Sequence, residues 1–113
     1  MQICTFIKDG SHRLGVLSGS AVIDLMAAGG RPDMFQNATA LIRTGAPAQD
    51  EAKRLVADAP ETAHHPISSV VLAAPVMPST VLCAGSNYHA HNAEKANAPL
   101  SGKEPEFFLK TAD

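Results

Sequence analysis

Gln2–Leu25 reads QICTFIKDGSHRLGVLSGSAVIDL, and this stretch decides the architecture of the N-terminal half. Gln2 to Lys8 alternates, with Cys4 and Phe6 toward one face and Ile3 and Ile7 toward the other, as a strand requires. Asp9-Gly10 supplies a pair that tolerates the backbone of a tight hairpin. Arg13 to Leu17 and Ala21 to Leu25 are two further short strands, parted by Ser18-Gly19-Ser20. Together they predict a three-stranded antiparallel meander.

Past the meander, Gly29-Gly30 and Pro32 break the chain. Asp33 is the expected N-cap of a helix in which Met34, Ala38, Leu41 and Ile42 fall at helical spacing, and Gly45 is its stop. Pro47 suits the first turn of a second helix, with Asp50 and Glu51 early and Lys53 and Arg54 later, an order that complements the helix dipole. Its narrow apolar face is Ala48, Ala52, Leu55 and Val56, and Pro60 ends it. Glu61 to Pro66, with His64-His65, reads as a polar loop or linker. Ser69 to Ala74 and Val81 to Ala84 are strands joined by the Pro-punctuated Pro75 to Ser79. Residues 95–105 form a loop, and Glu106 to Lys110 is a last short strand.

The bulk numbers exclude several function classes. The chain has 113 residues, 45% hydrophobic and 18% charged, which fits one domain or a small domain with part of another. A net charge of −2 without a basic run argues against nucleic-acid binding. Pro75 and Pro78 interrupt the best apolar stretch, so no membrane span is expected. Cys4 and Cys83 lie in apolar runs and read as buried, reduced thiols, which with the absence of a signal-peptide pattern points to the cytoplasm.

The chemistry is concentrated in Gly85-Ser86-Asn87-Tyr88-His89-Ala90-His91-Asn92-Ala93-Glu94, directly after the Val81 to Ala84 strand. If Asn87 or Tyr88 opens a helix, His91 and Glu94 project from one face within reach of each other. A carboxylate beside an imidazole fixes its tautomer and raises its basicity, which is what activating a water requires. The bland alternative for the pair is a solvated helix face. His89 reads as a surface residue, Asn87 equally as a helix cap or a substrate contact, and Tyr88 equally as packing under the dyad or as a hydroxyl in a pocket. Lys110 alone could be an ordinary edge lysine.

Three pieces in this order resemble the fumarylacetoacetate hydrolase family. They are Gly85-Ser86-Asn87-Tyr88, His91-Asn92-Ala93-Glu94 and Pro105-Glu106-Phe107-Phe108-Leu109-Lys110, inside a match from Leu72 to Lys110. Arg13-Leu14-Gly15-Val16 and Val22-Ile23-Asp24-Leu25 look like that family's small N-terminal domain. The resemblance implies an α+β protein: a small N-terminal domain over residues 1–70, with β-meander and helices, then over 71–113 the truncated start of a mostly β catalytic domain. It implies a metal-dependent hydrolase of C–C bonds in keto or diketo acids such as acylpyruvates, acting as a homodimer at full length. His91 matches the residue that activates water, Glu94 its orienting carboxylate, and Lys110 a lysine near the developing negative charge; Asn87 and Tyr88 are the candidate substrate contacts beside them. The cation is expected to be Mg²⁺, with Mn²⁺ or Ca²⁺ as alternatives, on ligands outside this segment. Glu104-Pro105-Glu106 precedes the Phe-Phe-x-Lys strand and does not match the family's metal pair. The competing expectations are a non-catalytic module that folds or pairs with another chain, and a decarboxylase or isomerase on the same scaffold.

Overall fold

The computed structural model describes residues 1–85 and 107–111. The protein is α+β, and its contacts divide it into two units, Met1–Met77 and Pro78–Asp113. Strands β1 (Gln2–Lys8), β2 (Ser11–Ser18) and β3 (Ala21–Asp24) form the expected antiparallel meander. The β1–β2 turn works because both Asp9 (φ 50°) and Gly10 (φ 74°) enter the left-handed region.

Helices α1 (Pro32–Phe35), α2 (Ala38–Thr44) and α3 (Ala46–Ala57) follow. Here the structure corrects the sequence reading. The single expected helix is two, broken before Asn37, whose side chain accepts from the Ala40 backbone N–H and so caps α2. Asp33 is not a cap; it lies in the first turn of α1, and Arg31 donates to its carboxylate. Ile42 is exposed, because the break re-aims the helical face onto Ala38, Ala40 and Leu41. Gly45 does end α2, at φ 71° and ψ −136°, and opens α3 directly, with Pro47 in its first turn.

Two more strands, β4 (His64–Pro66) and β5 (Val71–Ala73), join the meander in the order β4-β3-β2-β1-β5. Residues 64–66, expected to be linker, are therefore an edge strand on β3. β4 and β5 lie at opposite edges, yet only residues 67–70 join them. A flat sheet would separate those edges by about 19 Å at ~4.8 Å per strand step. Ile67–Ser69 is also wound as a 3-10 turn, which shortens its reach. His65 and Phe6, on strands three steps apart, bring their ring centroids to 6.0 Å. The sheet must curl to allow both, as an incomplete barrel does.

The curl gives the sheet an inner and an outer face. Inside sit Cys4, Phe6 and Val22, packed with Leu17 and Val70. Outside, Leu14 and Val16 pack against Leu25, Phe35, Ala38, Leu41, Ala48, Ala52 and Leu55 from the loop and helices. Gly15 is needed where the curl is tight: a Cβ there would stand 2.6 Å from Val22 Cγ1 and 2.9 Å from Phe6 Cε1. The ring of Phe6, 0% exposed, occupies that space.

In the second unit, β6 (Val81–Ala84) and β7 (Phe107–Lys110) form an antiparallel ribbon. Val81 lies opposite Lys110, Leu82 opposite Leu109, Cys83 opposite Phe108 and Ala84 opposite Phe107.

Candidate functional site

Of the five site residues read from the sequence, Lys110 lies among the described residues, while Asn87, Tyr88, His91 and Glu94 lie outside them. Lys110 ends β7, exposed, directly across from Val81. The segment bearing Asn87, Tyr88, His91 and Glu94 connects β6 to β7, two strands that pair with each other. The chain thus leaves a strand ending at Ala84, passes through the motif, and returns to the strand that carries Lys110.

The first unit holds a polar cluster that the sequence reading did not single out. Asp24 is 0% exposed. Arg13 donates to its Oδ2 at 2.6 Å, while the backbone N–H groups of Met26 and Ala27 donate to Oδ1 at 3.0 and 3.1 Å. The β3 pattern sends position 24 to the inner face, and the chain turns immediately afterwards, so one carboxylate both pairs a guanidinium and caps a turn. The legible signal was a charge embedded in the apolar Val22-Ile23-Asp24-Leu25.

His65 reaches this cluster from β4. Lys8 Nζ lies 3.1 Å from its Nδ1, and an ammonium can only donate, so the ring hydrogen belongs on Nε2. Among the described residues Nε2 has no partner, and it stands 3.9 Å from Asp24 Oδ2, beyond hydrogen-bond range. Three donors already engage the Asp24 carboxylate. The cluster ties β1, β2, β3 and β4 together and is a structural device.

A cavity of about 300 Å³ in the same unit is bordered by Thr5, His12, Asn37 and Pro75. Its polar groups are largely committed: Thr5 Oγ1 donates to the Pro75 carbonyl, and the Asn37 side chain caps α2. Among the described residues, no group of three or more His, Cys, Asp or Glu converges as a metal site. Asp24, the buried carboxylate, is already occupied by Arg13. The described residues therefore do not fit a divalent cation.

Both cysteines are free thiols. Burial raises the pKa of Cys4 above the ordinary thiol value, which keeps it protonated and inert. Among the described residues no helix is long and apolar enough to cross a membrane. No family model and no curated protein matches the chain.

Proposed function

We propose that the chain is the N-terminal portion of a metal-dependent hydrolase that cleaves C–C bonds of acylpyruvate-like diketo acids. The observation that carries this reading is the motif order on a paired ribbon. Gly-x-Asn-Tyr and His-x-x-Glu occur in the connection between β6 and β7, and the Phe-Phe-x-Lys lysine lies on β7 itself. Antiparallel pairing of strands far apart in the chain brings the two ends of that connection, at Ala84 and Phe107, side by side.

His91, oriented by Glu94, takes a proton from water, which adds to the acyl carbonyl. The C–C bond then breaks, its electron pair leaves as the pyruvate enolate, and that enolate takes the proton back at carbon. The products are a carboxylic acid and pyruvate. Lys110 offsets the negative charge that develops on oxygen. Tyr88 and Asn87 contact the substrate. The cation expected with this activity, Mg²⁺ in preference to Mn²⁺ or Ca²⁺, has its ligands beyond this segment. The proposed working state is a cytoplasmic homodimer; the free thiols of Cys4 and Cys83 accord with a reducing compartment.

The test is pyruvate release from acetylpyruvate by the full-length protein, with and without chelator. His91→Ala should lower kcat by at least about 100-fold with little change in substrate binding. Pyruvate release unaffected by His91→Ala would overturn the assignment. A second reading, a non-catalytic module that pairs with another chain, draws on the exposed apolar face of the β6–β7 ribbon. It expects no pyruvate release and no Mg²⁺ uptake by calorimetry. A decarboxylase on the same scaffold would release CO₂ instead.

A further inference from the structure

The ribbon of β6 and β7 has two chemically unlike faces. Directly opposed residues of an antiparallel pair share a face, and neighbours along each strand alternate. The register therefore puts Val81, Cys83, Phe108 and Lys110 on one face and Leu82, Ala84, Phe107 and Leu109 on the other. The second face is wholly apolar, and its large side chains are 65% (Leu82), 61% (Phe107) and 70% (Leu109) exposed in this chain. A face with that composition is built to be covered. The first face carries the ribbon's single charge, Lys110, which needs water or an anion.

Resting on the function proposed above, we infer that the Lys110 face is the wall of the substrate pocket and that Val81 sets which acyl groups fit. Directly opposed Cβ atoms stand about 4.5–5.5 Å apart, and diagonal ones about 7–8 Å. Val81 is thus the side chain across the ribbon from the ammonium, and Cys83, diagonal to Lys110, comes next along the same wall. A substrate whose oxyanion meets Lys110 brings the acyl substituent, two bonds from that oxygen, to the face that Val81 shares with Lys110. Val81 is therefore a specificity residue and Cys83 a reporter on the same wall. Leu82 points the other way and has no part in selection.

The full-length protein tests this with acetylpyruvate and a longer homologue, 2,4-dioxooctanoate, followed by pyruvate release. Val81→Ala should raise the ratio of kcat/KM for the longer over the shorter substrate by about tenfold, and Val81→Phe should lower it by about as much. Leu82→Ala should leave that ratio within about twofold of wild type, whatever it does to stability. An active wild type whose ratio ignores Val81 overturns the pocket assignment alone. A wild type that releases no pyruvate from either compound overturns the proposed function, and this inference with it. Thiol alkylation gives a readout independent of turnover. In the His91→Ala protein, acetylpyruvate should slow iodoacetamide labelling of Cys83 by about tenfold or more while buried Cys4 remains unlabelled throughout. Cys83 labelling unchanged by saturating acetylpyruvate sinks the assignment even if the Val81 variants do not fold.

Discussion

Two residues, Asp24 and Gly15, show what the interior of the curled sheet demands. Asp24, itself fully buried, collects three donors, so Asp24→Ala strands two backbone N–H groups and removes the acceptor of a partly exposed guanidinium. The expected cost is about 2–3 kcal/mol in urea unfolding. Arg13→Gln should cost about 1 kcal/mol, because the Arg13 side chain is 40% exposed and its loss leaves the carboxylate its backbone partners. An Arg13 variant that destabilises more than the Asp24 variant would contradict this picture. Gly15→Ala should cost about 1–3 kcal/mol by crowding Phe6 and Val22. In a Phe6→Leu background the penalty should shrink, giving a coupling of about 0.5–3 kcal/mol in a double-mutant cycle. Part of this was legible. Alternation placed Cys4 and Phe6 on one face, as found. Why Gly15 is a glycine was not, because the reason is a ring on another strand. His65 looked like linker because polar residues between prolines carry no signal of a distant lysine or carboxylate.

Among the elements, the helices divide where local chemistry is strongest. The α2–α3 junction rests on Gly45, whose φ of 71° and ψ of −136° suit glycine and few other residues. Gly45→Ala should destabilise by about 1–3 kcal/mol. Asn37→Ala removes one cap bond at the other end of α2 and should cost about 1 kcal/mol. Both are read from thermal or urea melts, and Gly45 should be the more sensitive of the two. The stop at Gly45 and the face of Ala48, Ala52 and Leu55 on α3 could be read directly, since caps and helical periodicity are local. The break before Asn37 was harder. Met34, Ala38 and Leu41 keep helical spacing across it, so periodicity alone continues through a point that the Asn37 cap interrupts. In the ribbon, the four residues of β6 were legible as a strand, but their partner was not. Only the register with β7 shows that Val81 and Lys110 share a face.

For the molecule as a whole, the first unit contains its own inner and outer cores, with cluster members among the described residues falling within 3–76. A chain of residues 1–77 should therefore unfold in one cooperative urea transition. A peptide of residues 78–113 should show none, since a two-stranded ribbon is marginal by itself. Equal cooperativity in both would refute this division. The sequence reading reached the α+β class because meander and helices are local patterns. It missed which strands take the sheet edges, because alternation reports faces and carries no information about neighbours. One of those edges has a consequence in time. Thr5 pairs with Ala73 and Phe6 with Leu72. β1, made before the other strands of this sheet, thus keeps one side unpaired until nearly the whole unit has been synthesised. Chain closure across so long a separation is slow, so the meander and its helices assemble early and the β1–β5 pairing is the late event of folding. During translation, that waiting edge is where a nascent chain of this protein is most open to mispairing and to chaperone capture.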